Sequence, residues 1–337
     1  MKAIGLKKSL PIDQEESFIS FETEKPQPKS RDLLVKIKAV SVNPVDFKVR
    51  QSSAKDKELD EPKILGWDAV GVVEAIGDEV SLFKDGDEVY YAGDITRPGC
   101  DAEYQLIDER IVGHKPKNLS YEESAAMPLT ALTAWECIFD RLRIEKDGGK
   151  GQSILIIGGA GGVGSIAIPL AKKLTQLEVV TTASRKETEQ WCLDKGADAV
   201  VNHKDLVNSV KEKGYSEFDY ILNVVDTEMH WEATAELIKP QGSFCTIVET
   251  KNPLDMNKIK NKSVSFHWEL MFTRSMFQTD DMIRQHEILE ELAELLDSGT
   301  IKSTLNKTIN GLTPASFKEA HKLQESGKAI GKTVILF

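Results

Sequence analysis

Cysteine is scarce in this chain, and apolar runs of membrane length are missing. The four cysteines, Cys100, Cys137, Cys192 and Cys245, stand far apart. They form neither a disulfide framework nor a closely spaced metal knuckle. No stretch approaches the roughly 18 apolar residues that a membrane helix requires. The first eight residues, Met1-Lys2-Ala3-Ile4-Gly5-Leu6-Lys7-Lys8, have no extended apolar region and no cleavage site, so no secretory signal is expected. A reduced, cytoplasmic setting is the expectation. An excess of basic charge is also missing. Lys and Arg number 43 against 54 Asp and Glu, a formal net charge of −11. Such a surface repels phosphate backbones, which excludes general nucleic-acid binding but leaves room for a local basic patch to hold one phosphate. The six histidines, His114, His203, His230, His267, His286 and His321, show no metal-ligand spacing.

What is present is an ordinary soluble composition, 40% hydrophobic and 29% charged, over 337 residues. That length suits two domains. Up to about residue 120 the texture is rich in Val, Ile, Pro and turn residues. The alternating runs 33–40 and 69–76 read as strands, and Asp85-Gly86-Asp87 reads as a turn into another. From about 125 to 270 strands alternate with helices. Segments 153–157, 179–183, 199–201, 220–225, 244–248 and 264–266 read as strands, and 165–174, 187–195 and 230–238 as helices. That alternation predicts a doubly wound parallel sheet of the Rossmann type, an α/β fold. In the tail, Ile283, Ile288, Leu289, Leu292, Leu295 and Leu296 mark one apolar helix face, 317–323 a shorter helix, and 333–337 a final strand. This strand needs a host, and the β-rich start is the natural one. The expected organisation is therefore discontinuous: residues 1–124 and 271–337 form one domain, and 125–270 form the nucleotide-binding domain.

Gly158-Gly159-Ala160-Gly161-Gly162-Val163-Gly164 falls between a strand and a helix. Gly159, Gly161 and Gly164 fill the G-x-G-x-x-G spacing. The first makes a tight turn, the second lets backbone approach a pyrophosphate, and the third lets helix pack on strand. Free N–H groups at the helix start then face the phosphates. No Gly-Lys-Ser/Thr follows, which excludes a phosphate-cleaving P-loop. NAD sites carry an acid at the end of the second strand. Here the chain reads Thr182-Ala183-Ser184-Arg185-Lys186. Ser184 can hydrogen-bond, and Arg185 and Lys186 can pair with a 2′-phosphate, so NADPH is favoured. The other reading of Arg185 and Lys186 is a solvated helix start. Ala160, Gly162, Val163 and Val225 complete the expected cofactor set.

Three anchors then carry a resemblance: 39–48 (Ala-Val-Ser-Val-Asn-Pro-Val-Asp-Phe-Lys), 62–73 (Pro-Lys-Ile-Leu-Gly-Trp-Asp-Ala-Val-Gly-Val-Val) and 126–135 (Ala-Met-Pro-Leu-Thr-Ala-Leu-Thr-Ala-Trp). With the glycine turn they resemble the medium-chain dehydrogenase/reductase superfamily, closest to its zinc-type alcohol dehydrogenase-like, quinone oxidoreductase subfamily. The resemblance spans essentially the whole chain and implies that the β-rich domain is GroES-like and catalytic. Zinc members place Cys where this chain has Asn43, and His-Glu where it has Trp67-Asp68. Residues 90–112 offer only Cys100 for a structural zinc lobe that needs four. No zinc is therefore expected at either site.

The resemblance also implies roles. Asn43 is either a carbonyl donor in the substrate cleft or a turn residue before Pro44. Lys48 contacts cofactor, stabilises an enolate, or is simply solvated. Trp67 packs beside the nicotinamide or fills core, and Thr133 lies near the nicotinamide amide or is buried at a helix start. Without a Lewis acid, an activated acceptor suits the site. The expected activity is NADPH-dependent, zinc-independent reduction of quinones or α,β-unsaturated carbonyls, with water as proton source. Two alternatives stay open: a zinc alcohol dehydrogenase that uses Asp68 with other ligands, and a non-catalytic NADPH-binding sensor. A homodimer paired through the strand edge at 263–268 is expected.

Overall fold

A computed structural model describes all residues from Met1 to Phe337. The chain divides into two units, one of residues 1–132 and 272–337, the other of residues 133–271.

In chain order, the first part holds β1 (Lys2–Leu6), β2 (Ile19–Glu22), β3 (Asp32–Val42), α1 (Pro44–Ser52), β4 (Lys63–Ile64), β5 (Ala69–Ile76), β6 (Glu88–Tyr91), β7 (Tyr104–Asp108), β8 (Val112–His114), α2 (Tyr121–Ala125) and α3 (Pro128–Trp135). A π-helical turn, Glu136–Arg141, follows α3. The middle holds β9 (Ser153–Ile157), α4 (Gly162–Leu174), β10 (Glu178–Thr182), α5 (Lys186–Asp194), β11 (Ala199–Val201), α6 (Leu206–Glu212), β12 (Phe218–Asn223), α7 (Trp231–Leu237), β13 (Ile238–Thr246), α8 (Asn257–Lys260) and β14 (Ser265–Trp268). The tail adds α9 (Thr273–Phe277), α10 (Arg284–Asp297), β15 (Leu305–Asn310), α11 (Pro314–Glu325) and β16 (Lys332–Leu336).

In the unit built from both chain ends, β3 is the long central strand. It pairs antiparallel with β5, β7 and β16, and the main sheet runs β15-β16-β3-β5-β6-β8. The closing strand does find its host in the β-rich start: Thr333 faces Val42 and Ile335 faces Val40. Its alternation is weak because both faces are covered, with Lys332 to Ile335 all buried. A smaller sheet, β2-β1-β4, completes the β structure. Helix α1 is a departure from the strand-dominated reading of this region. Pro44 sits at its start, where a missing N–H costs nothing, and Asp46 accepts a hydrogen bond from the backbone N–H of Asn43 at 2.5 Å.

The other unit is a six-stranded parallel sheet in the order β11-β10-β9-β12-β13-β14. Strand order runs one way from β9 to β11 and the other way from β12 to β14. The switch point lies between β9 and β12, where open parallel sheets place their ligand crevice. One buried core joins Leu155, Ile157, Val180, Phe218, Ile221, Trp231 and Phe244. The helix expected at 230–238 gives way at Ile238, where β13 begins and runs through Pro240 and Gly242. The ladder tolerates those residues because the register jumps from Phe218 opposite Ile238 to Tyr220 opposite Ser243. The intervening residues, which include Pro240, are excused from regular pairing.

Ile335 is fully buried in β16. Ile335→Ala is expected to cost about 2–5 kcal/mol, read as a lower urea midpoint with an unchanged slope.

Candidate functional site

The glycine turn connects β9 to α4 at the switch point. Gly158 has φ +105°, a conformation that L side chains rarely adopt, and its N–H donates to Thr182 Oγ1 at 2.9 Å. Each glycine after it has a different neighbourhood. A Cβ on Gly159 would lie 2.1 Å from Thr181 Oγ1. A Cβ on Gly164 would lie 2.2 Å from the Gly158 carbonyl oxygen, so the helix can pack here only on glycine. Gly161 differs: its nearest neighbour would be the Gly158 oxygen at 3.6 Å. Close contacts thus shape the turn at two positions and leave the middle one open to approach. Gly161 is the N-cap of α4 and no side chain caps the helix. The N–H groups of its first turn have no side-chain acceptor, which suits a pyrophosphate. Val225 follows the neighbouring strand β12. It is 51% exposed, and its Cγ2 lies against Gly158, so this apolar side chain borders the turn.

Strand β10 ends at Thr182, and Ser184, Arg185 and Lys186 are all exposed beyond it. Arg185 is the N-cap of α5 and pairs with Glu187 at 2.9 Å. An exposed pair of this kind is worth little and can be exchanged for a better anion. Thr133 is buried within α3.

In the other unit, a buried polar cluster gathers at the start of α1. Asn43 is 1% exposed. Its amide nitrogen donates to the Ser41 carbonyl at 3.3 Å and to Asp68 Oδ2 at 3.1 Å. Its amide oxygen accepts from the Lys332 ammonium. The same ammonium lies 3.0 Å from Asp68 Oδ2, with both side chains almost wholly buried. Asp68 Oδ1 accepts from the backbone N–H of Leu129 at 3.2 Å. Every hydrogen-bonding atom of the Asn43 amide thus has a protein partner. Burial pushes the Asp68 carboxyl upward, and Lys332, first among its neighbours, opposes that shift. Burial also pushes Asp46 up to about 7, against the N–H of Asn43 and the charge of Lys332. Trp67 is fully buried. Its indole N–H donates to the Asp94 carbonyl at 3.2 Å and its ring meets Phe272 edge-on. Lys48, by contrast, is exposed on α1. The structure therefore brings Asn43 together with Asp68 and Lys332, and leaves Lys48 as the solvent-facing member of the three residues expected at the catalytic centre.

Comparison with known proteins accounts for this layout. The family described as alcohol dehydrogenase GroES-like domain matches residues 29–131, and that described as zinc-binding dehydrogenase matches 195–335. A zinc-type alcohol dehydrogenase-like protein of Staphylococcus epidermidis is 46% identical over 99% of both chains. The chain belongs to the medium-chain dehydrogenase/reductase superfamily, in its zinc-type alcohol dehydrogenase-like group. The solved structure of a putative zinc-dependent alcohol dehydrogenase protein from Rhizobium etli CFN 42 is 47% identical, with a TM-score of 0.95 over 100% of this chain and 98% of that one. The 2-methylene-furan-3-one reductase of Solanum lycopersicum is 32% identical over 92% of this chain and 73% of its own length. The Escherichia coli quinone oxidoreductase solved with NADPH shares the fold, at 23% identity and a TM-score of 0.83 over the whole of both chains.

The zinc in the family's name does not fit this member's residues. A catalytic zinc takes three side chains with N, S or carboxylate donors. At the position of the first family ligand stands an amide whose atoms are all engaged, and at the second stands a buried indole. Asp68 already holds an ammonium at hydrogen-bond distance. No group of three His, Cys, Asp or Glu side chains is arranged to hold a metal ion. Sequence reasoning missed Lys332. The available signal was a lysine at the head of an otherwise apolar closing strand, a position where burial forces it to find an acid.

Removing one partner of a buried pair strands the other charge. Lys332→Met is expected to cost about 3–5 kcal/mol in urea unfolding. The double variant with Asp68→Asn should recover more than half of that loss. The Asp46 carboxyl supplies a pH test. Its folded value lies above the ordinary carboxylate range, so between about pH 4 and 7 the native chain holds a proton that the unfolded chain has released. Stability from this group is therefore present at low pH and is lost as pH rises towards 7. Asp46→Asn, which is always neutral, should gain in melting temperature relative to the parent between pH 5 and pH 8.

Proposed function

We propose that this protein is an NADPH-dependent reductase of α,β-unsaturated carbonyls or quinones that works without zinc. The observation that carries the reading is the pairing of an open glycine turn with a family metal position filled by Asn43, Trp67 and the Lys332–Asp68 pair. The tomato relative, by name a furanone reductase, supports an activated carbonyl as acceptor.

Bound at the turn, NADPH would supply the hydride. The chain's own residues do the rest. The first-turn N–H groups of α4 and the bare backbone of Gly161 hold the pyrophosphate. Ser184, Arg185 and Lys186, with no acid at the end of β10, hold the 2′-phosphate and disfavour a chain of contacts built for a free 2′-hydroxyl. Thr133 and Val225 border the nicotinamide arm. The exposed Lys48 ammonium stabilises the oxygen that becomes negative when hydride reaches the β-carbon or the quinone ring. Asn43, Asp68 and Lys332 act behind it by fixing the start of α1, and Trp67 supports the same wall. Water returns the proton. The chain works as a homodimer paired along the free edge of β14, which lies last in its sheet. A light-scattering mass of one chain would contradict that pairing.

The test is NADPH oxidation by chelator-treated protein, followed at the nicotinamide absorbance with enones, quinones and simple aldehydes. Turnover of enones or quinones without metal is the expected result. Activity that appears only with added zinc, and on alcohols, would overturn the reading. Arg185→Glu should weaken NADPH binding about tenfold, the loss of one charge-assisted contact of about 1.4 kcal/mol, while leaving NADH nearly unchanged.

A further inference from the structure

Two glutamates that the reductase reading does not use lie buried together in the unit of residues 133–271. Glu136 opens the π-helical turn after α3 and is fully buried, and Glu269 follows β14 and is 3% exposed. An acid inside a protein needs partners. Glu269 Oε2 accepts from Arg141 Nε at 2.6 Å. Its Oε1 is enclosed and receives no N–H donor. What Glu269 meets besides Arg141 is the carboxyl group of Glu136, at hydrogen-bonding distance. An ionised carboxylate only accepts, so two carboxyl groups can hydrogen-bond only when one of them keeps a proton. Two buried anions at that range would instead repel. Burial raises the Glu269 carboxyl above the ordinary range, against Glu136 and Arg141, which pull it down.

The pair sits where strand ends converge. The Glu269 N–H donates to the Thr246 carbonyl at 3.0 Å, which fixes this acid to the end of β13. Thr246 Oγ1 donates in turn to the carbonyl of Asn223, at the end of β12, at 3.2 Å, and Asn223 Oδ1 accepts from the N–H of Val225 at 3.0 Å. On the other side, Glu136 stands three residues beyond Thr133, on the segment that runs from α3 into the π-helical turn. One line of contacts thus joins Thr133 to Val225 at the carboxyl ends of the parallel strands, where such sheets place their ligand crevice. The π-helical turn is a second mark, since these irregular turns recur at functional sites.

We propose that Glu136 and Glu269 share a single proton and, with Arg141, act as positioning residues for the nicotinamide end of the cofactor. The role rests on the proposed placing of the nicotinamide arm beside Thr133 and Val225. With the proton in place, the pair holds the α3 segment to the ends of β13 and β14. Without it, two anions face each other and the segment parts from the strands. NADPH binding therefore holds at low and neutral pH and weakens as pH rises through the loss of that proton. The other groups that face the pair are Arg141 and Cys137 from the π-helical turn, Cys245 from β13, at hydrogen-bonding distance from the Cys137 thiol, and His267 from β14. Arg141 stays charged throughout. Burial pushes the Cys137 thiol well above its ordinary range. Burial, then Arg143 and Arg141, hold His267 below the usual imidazole range, so it is neutral wherever the proton is lost.

The test has two arms, both on the full chain. Infrared difference spectroscopy without NADPH reads the carbonyl stretch of a protonated carboxylic acid at neutral pH. Glu136→Gln and Glu269→Gln should each remove the same band, and the double variant no more than either alone, because one proton serves both. Fluorescence titration then reads NADPH affinity from about pH 6 to about pH 10. Glu136→Ala strands Glu269 and should weaken binding about tenfold at every pH. Glu136→Gln keeps a donor towards Glu269, so it should recover most of that loss and show no alkaline weakening. Cys245→Ser should retain the alkaline weakening. A band that neither substitution removes, or that only one removes, would overturn the shared proton. NADPH binding indifferent to Glu136→Ala would overturn the positioning role, as would alkaline weakening that survives Glu136→Gln or vanishes in Cys245→Ser. A parent chain that binds no NADPH at any pH defeats the reductase reading and the positioning role with it, whereas the infrared result decides the shared proton by itself.

Discussion

The ammonium of Lys332 lies buried between Asp68 and Asn43, and much of the discontinuous unit is arranged around that contact. It ties the last strand of the chain to the end of β3 and to the entry of β5. A charge in such a place is costly unless it is paired and its partner is hydrogen-bonded in turn. Both conditions are met: Asp68 also accepts from Asn43 and from the backbone of Leu129. The cluster specifies the register of β16 against β3, because a slip of one residue would turn the lysine away from the acid.

That cluster also changes what the family frame can do. In this superfamily the region around Asn43 and Trp67 is where metal-dependent members gather ligands. Here the same backbone holds an amide with every atom satisfied, an indole in the core and an internal ion pair. The positive charge held there is the Lys332 ammonium, and it is enclosed. Lys48, on helix α1, stays outside that enclosure and is exposed.

The parallel-sheet unit obeys a different constraint. Its strand order reverses between β9 and β12, so the turn after β9 opens beside the end of β12. The glycines divide the labour by space. Gly159 and Gly164 are there because neighbouring atoms leave no room for a Cβ, whereas the space beside Gly161 stays open.

Several of these features are written locally, in residues close along the chain. The strand, glycine turn and helix from Ser153 to Leu174 are legible from periodicity and spacing alone. So is the missing acid after Thr182, and so is the loss of ligand residue types at Asn43 and Trp67. The parallel sheet follows from alternation of elements, which is also a local property. Other features depend on contacts across hundreds of residues, and no window of sequence contains them. Lys332 and Asp68 are far apart in the chain, and only the antiparallel pairing of β16 with β3 makes them partners. The satisfied state of the Asn43 amide has the same origin, so sequence could offer both a donor and a turn residue there. The helix expected over 230–238 ends at Leu237, and the strand that follows contains Pro240 and Gly242 because a break in pairing register excuses them from the ladder. Sequence by itself determined most of the element types, the glycine turn and the residue types that stand at Asn43 and Trp67, since each rests on neighbours within a few residues. Tertiary structure alone decided which charges are buried together, since burial and pairing are properties of the folded surface.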